Sequence, residues 1–157
     1  MSTTTRLEAS ALLGRTLAEG YGPGAWHGAD FKAAIADVSD ATAFRRPAPE
    51  RHNIAEIALH HAFCVRNVRG RLSGAPLEPF ILEGDDWFPV SGDGAVSWAQ
   101  IRQTVEGEQK KLAEVVEGIA RGRTSPLAEA EQFEIVLGIT CHAVYHAGQV
   151  QLVKKFL

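Results

Sequence analysis

Four long stretches of this chain space their apolar residues with the period of an α-helix, and breaks rich in glycine and proline separate them. This pattern limits the fold more than any other feature, because each stretch has one apolar side that must be buried against the others. The first runs from about Thr5 to Glu19, with Leu7, Ala11, Leu12, Leu13 and Leu17 as its apolar positions. It stops in Gly20-Tyr21-Gly22-Pro23-Gly24, where three glycines surround a proline. A short helix near Phe31 to Asp37 precedes a connection broken by Pro47 and Pro49. The second long helix opens at Asn53, a good N-cap with Glu56 three residues on, and reaches about Leu72. Ser97 and Gln100 repeat that signature for a third helix to about Ala120, and the fourth runs from about Glu131 to Phe156. A long connection follows the second helix, with one short extended piece expected at Phe80-Ile81-Leu82. A loop of that length in a compact domain acts as a crossover or a functional rim. The expected fold is all-α: a four-helix bundle in one domain over 1–157, with its long loop between the second and third long helices.

Composition narrows the partners. With 45% hydrophobic and 22% charged residues the chain can build an ordinary globular core. A net charge of −3 offers no basic footprint for a nucleic acid and no polybasic patch for a membrane. No apolar run approaches the roughly 20 residues of a membrane span, and the amphipathic, partly acidic N-terminus has no secretory core. Two cysteines, Cys64 and Cys141, make no disulfide framework, so a cytoplasmic location is expected.

The six histidines carry the chemical information. His142 and His146 stand one turn apart, about 40° round a helix, so two imidazoles can converge on one ion. Ile135, Gly138, Gln149 and Val153 share the His142 strip, which is expected to face inward. Two ligands do not make a site, and the second helix offers a third in either His60 or His61. The apolar stripe Ile54, Ile57, Val65, Val68 and Leu72 centres on His61. A site open to substrate would instead sit where that stripe meets solvent, at His60. Periodicity leaves the two histidines as alternatives.

Among the neighbours, Cys64, one turn after His60 on the same side, reads as a packing residue ahead of a soft ligand, and Cys141 as packing. Tyr145 reads as either a hydrogen-bond donor behind the site or a core tyrosine. Gln149 reads as part of a close helix contact at Gly148, and His27 and His52 as surface or capping residues. Asp85, Asp86 and Trp87 lie on the loop that can rim a pocket, and Arg66, Arg69 and Arg71 form a solvated or salt-bridged face. Glu56 can cap at Asn53 or accept the outer N–H of His60, with capping ahead.

"NIAEIALHH", "RLSG", "DWF" and "GITCHAVYHAGQ", in that order and separation, resemble the DinB/YfiT-like superfamily. The resemblance extends from "AWHG" to "QLVKKFL". It implies a metal triad of His60, His142 and His146, with His61 a departure where the family more often carries an apolar residue. It also implies a divalent ion, zinc or nickel before iron, and a homodimer. The implied reaction is metal-dependent transfer of a low-molecular-weight thiol to a small-molecule substrate. A metal-dependent hydrolase and a non-catalytic metal-binding bundle are the rival readings. Three imidazoles with a further position open is the arrangement of catalytic rather than structural zinc sites, although imidazole alone does not select the metal.

Overall fold

The computed structural model describes residues 3–157, with side chains from residue 11 onward. The described residues are all-helical with irregular connections: α1 (Thr3–Tyr21), α2 (Phe31–Ala36), α3 (Asp40–Phe44), α4 (Ile54–Ser73), α5 (Trp98–Ala120) and α6 (Glu129–Phe156). The four long helices lie where periodicity places them. The five-residue helix α3 was not expected. Ser39 nucleates it by accepting from the Thr42 amide at 3.2 Å, ahead of the prolines. Phe80-Ile81-Leu82 forms no strand, since no neighbouring segment offers it a ladder.

Capping chemistry explains the helix starts. Asn53 accepts from the Glu56 amide at 2.8 Å, and Ser97 with Gln100 makes a complete capping box. The end of α4 is closed by Gly74 at φ 66°, whose N–H donates to the Gly70 carbonyl. Helix α1 does not stop at Gly20. It continues to Tyr21 and uses Gly20 for close approach: a Cβ there would stand 2.9 Å from the Thr140 carbonyl oxygen and from Ala143 Cβ.

The principal packing runs α1 on α6, α6 on α4, α4 on α5 and α5 back on α1, so the long helices enclose a common interior. Its apolar side chains divide into two clusters along the helix axes. One gathers Phe31, Ile54, Ile57, Phe88, Trp98 and Val150 among others, and the second Leu17, Val65, Leu72, Leu112 and Val136. The Trp98 indole donates to the Val38 carbonyl at 2.8 Å, which satisfies its one polar atom in a fully buried position. Two expectations about faces need correction. In α1 Leu13 and Leu17 are buried but Leu12 is exposed, and Leu7 lies outside the residues whose side chains are described. In α6 the buried stripe centres on Val136, Ile139, Ala143, Ala147 and Val150, so the strip expected to face inward borders the core: Val153 is buried and Ile135 packs on it, but His142 and Gln149 are half-buried and Gly138 is exposed. Contacts with α1 at Thr140 and Ala143 set that rotation.

The connection from 74 to 97 is tied down at both ends. Arg69, nearly buried in α4, bridges Glu78 at 3.0 Å and Glu108 of α5 at 3.2 Å, which accounts for one of the expected surface arginines as a structural clamp. Further on, Asn53 donates to the Val90 carbonyl at 3.0 Å and the Val90 amide donates to Glu56 at 3.2 Å. The loop thereby folds back over the first half of α4.

Candidate metal centre

His60 and His61 from α4 and His142 and His146 from α6 meet between the two apolar clusters. His60 Nε2 and His146 Nε2 each stand 3.1 Å from His142 Nε2. Donors 2.0–2.1 Å from one tetrahedral ion are about 3.3 Å apart, close to this spacing. The outer ring nitrogens show where the protons sit. His60 Nδ1 faces two oxygens of Asp86, the carbonyl at 2.9 Å and Oδ1 at 3.0 Å, so Nδ1 carries the hydrogen. His146 Nδ1 donates in the same way to Gln149 Oε1 at 2.7 Å. Both rings therefore aim a bare Nε2 lone pair at His142 Nε2.

His142 has its own outer partner. Its Nδ1 lies 3.2 Å from Nδ1 of His61, which is fully buried and tilted against the Phe31 ring at 4.3 Å. One of these two nitrogens must donate. When His142 Nδ1 donates, its Nε2 is also bare and three lone pairs converge; His61 then carries its hydrogen on Nε2, a buried atom with no partner. Burial holds His61 well below the usual imidazole range, with the charges of the neighbouring rings adding to it. Burial likewise pushes His142 down to about 4, and it lowers His146 against an opposing pull from the Gln149 hydrogen bond. Near neutral pH these rings are uncharged donors.

Cys64, one turn after His60, brings Sγ to 4.0 Å from His60 Nε2. The ligand atoms of His60, Cys64 and His142 all lie within 4.8 Å of one another, a group compatible with a metal ion. Cys64 thus stands beside the site and not only in the packing. Burial raises its thiol to about 11, so without a cation beside it the sulfur keeps its proton. The donor set of neutral imidazoles and one thiol suits a divalent transition metal.

The loop builds the outer wall. Asp86 adopts φ 70°, the one non-glycine residue with positive φ among the described residues, and this turn aims its carbonyl and carboxylate at His60. Trp87 then lies flat between His60 (4.0 Å, 3°) and His52 (3.7 Å, 6°). His52 is therefore part of the wall, not an ordinary surface residue. It bonds Glu56 Oε2 at 3.0 Å, and its i, i+4 relation to Glu56 was the available signal. His27 stays exposed and bonds the Glu19 carbonyl.

Several neighbours differ from expectation. Glu56 completes neither the capping box nor a bond to His60. Its buried carboxylate instead takes Arg46, His52 and the Val90 amide. Tyr145 is exposed and meets His146 only edge-on at 5.1 Å, and Cys141 is exposed too. Gln149 orients His146, while Gly148 admits no neighbour within this chain.

These features define a class: an all-helical protein whose interior holds a group, His60, Cys64 and His142, compatible with a metal ion. The family model of the DinB superfamily matches residues 25–150, and the chain belongs to that superfamily. No curated protein and no solved structure gives a significant match. No described helix is long and apolar enough to cross a membrane.

Proposed function

We propose that this chain is a metal-dependent DinB enzyme of the cytoplasm, its long helices forming the DinB-type bundle. In this reading His60, His142 and His146 hold a divalent ion, zinc or nickel before iron. The observation that carries it is the proton inventory: Asp86 and Gln149 each take an outer N–H, which leaves the Nε2 lone pairs of His60 and His146 facing that of His142. An ion there would supply Lewis acidity toward a sulfur or oxygen of the substrate. The chain itself contributes orientation, through Asp86 on His60 and Gln149 on His146, and an apolar wall, through Trp87, that limits water on one side. Transfer of a low-molecular-weight thiol to an electrophilic small molecule is the proposed reaction, with hydrolysis as its enzymatic rival.

One observation favours a non-catalytic metal-binding protein. The nearest carboxylates are already engaged, Glu56 with Arg46 and His52 and Asp86 with His60, so no acid or base among them is poised for substrate. Metal analysis of purified wild type beside His142→Ala and His146→Ala tests the site; one ion per chain in wild type and much less in the variants is expected. Equal, near-zero metal in all three would sink it. Loaded protein is then screened with bacillithiol, mycothiol or glutathione and electrophilic acceptors. Turnover lost in His60→Ala supports the transferase, and metal without turnover assigns a holding role.

A further inference from the structure

Among the described residues, every buried polar side chain bonds a protein atom except Gln109 of α5. The Tyr21 hydroxyl at the end of α1 is likewise without a partner among these residues, and both side chains are only 8% exposed. A buried polar group that bonds nothing is rare enough to need a reason. Neither group is sealed inside the protein, and both line the same groove. There Gly14 and Ala18 of α1 run beside Ala113 of α5, and these small residues leave a hollow of about 290 Å³. A Cβ at Gly14 would meet nothing within 4 Å. A second hollow of about 340 Å³ continues it toward α2, sharing Tyr21 and Glu106. Small-molecule sites begin at roughly 300 Å³, so the joined hollows reach that size. No histidine of the metal centre lines either one.

The lining selects the ligand. Leu17, Ala18 and Ala113 wall the first hollow, and Ile35, Ala36 and Ala99 the second, so the body of the ligand is apolar. Its polar end is an anion. Glu106 is neutralised by Lys32 at 3.1 Å, whereas Arg102 and Lys110 have no carboxylate partner among the described residues. The groove is thus locally positive on a chain of net charge −3. Burial pushes the Tyr21 phenol up, with the Glu106 and Asp30 carboxylates adding to it, so its hydroxyl keeps its hydrogen and donates. The Gln109 amide supplies a second donor. Two neutral donors beside one ammonium suit the two oxygens of a carboxylate. A phosphate would leave acceptor oxygens unpaired against the apolar walls.

We propose that the groove between α1, α2 and α5 binds a small amphipathic carboxylate, its oxygens on Tyr21 and Gln109 beside Lys110 and its hydrocarbon body in the adjoining hollow. The site is separate from the metal centre. Calorimetric titration of the full chain with decanoate tests it, with circular dichroism as the folding control for each variant. Saturable one-to-one binding is expected below about 1 mM. Acetate, which lacks the body, and decylamine, which reverses the charge, should bind at least ten-fold more weakly. Tyr21→Phe and Gln109→Leu each remove a donor and keep the shape of the wall, and each should raise the dissociation constant about five- to ten-fold. Lys110→Glu should weaken binding several-fold, less so in high salt. His142→Ala should bind decanoate as wild type does, which separates the groove from a carboxylate held at the metal centre. Absence of saturation by about 1 mM overturns the proposal and leaves Tyr21 and Gln109 to bound water. Undiminished binding in both Tyr21→Phe and Gln109→Leu overturns it too, as does binding lost in His142→Ala. Decylamine bound as tightly as decanoate would make the groove an unselective apolar surface and overturn it equally.

Discussion

Replacing His61 with leucine should move metal affinity and apo-protein stability in different directions. In the tautomer that leaves His142 Nε2 bare, His61 Nδ1 accepts the outer N–H of His142 at 3.2 Å and its own Nε2–H is buried without a partner. An orphaned buried donor costs about 1–3 kcal/mol, and the hydrogen bond returns about 1 kcal/mol. His61→Leu removes both and fills a similar volume against Phe31, while metal-free His142 can carry its hydrogen on Nε2 and donate to His60 or His146 Nε2 at 3.1 Å. The metal-free variant should therefore be as stable as wild type or up to about 2 kcal/mol more stable in urea denaturation. Losing the partner that orients a ligand histidine typically weakens metal binding 10–100-fold, about 1.4–2.8 kcal/mol. Competition with a chromophoric chelator measures that affinity, and the absorption of a cobalt-substituted sample reports the geometry. His61→Gln, which keeps a hydrogen-bonding side chain, should recover part of the affinity. An affinity within two-fold of wild type in His61→Leu would refute the tautomer argument, and a loss of several kcal/mol in the apo form would show that His61 is chiefly a packing residue.

Three further outcomes are expected. Glu56→Gln removes a buried charge that binds Arg46 and His52 and accepts from Val90; since Arg46 can return to water, the loss should be about 2–3 kcal/mol in chemical denaturation, and a loss under about 0.5 kcal/mol would contradict the clamp. Gly20→Ala drives a Cβ against the Thr140 carbonyl and Ala143, so it should cost about 1–3 kcal/mol and lower the melting temperature, whereas a neutral effect would mean that α1 and α6 separate easily. The folded pKa values of His61, His142 and His146 lie below that of a free imidazole, so the unfolded chain takes up protons first. Their contribution is fully present above about pH 6.5 and is lost as pH falls toward 4. The melting temperature of chelator-treated protein should drop between pH 7.5 and 5, and a flat profile there would mean that these rings already titrate normally.

The limits of helix reading show in particular residues. Asn53 and Ser97 mark their helices because a cap acts within one turn, on backbone amides three residues away. Gly20 looks like a stop by composition, yet its meaning came from α6, 120 residues further along the chain. The apolar wheel of α4 correctly makes His61 the more buried of the pair, but both histidines are buried and they face different partners. Family resemblance, not periodicity, singled out His60. Neither signal revealed that Glu56 turns away from both expected roles, or that His52 and Trp87 stack over the site.

What the sequence determined alone was the set of long helices, the caps at Asn53 and Ser97, and the one-turn spacing that puts His142 and His146 side by side. These follow from interactions among residues a few positions apart, which any copy of the segment would repeat. The tertiary structure decided which ring nitrogen His60 and His146 offer, because Asp86 and Gln149 take their outer protons, and Asp86 comes from another segment of the chain. It also decided which side of an all-round apolar α6 is left in solvent, since only packing against α1 and α4 could choose between two equally apolar faces.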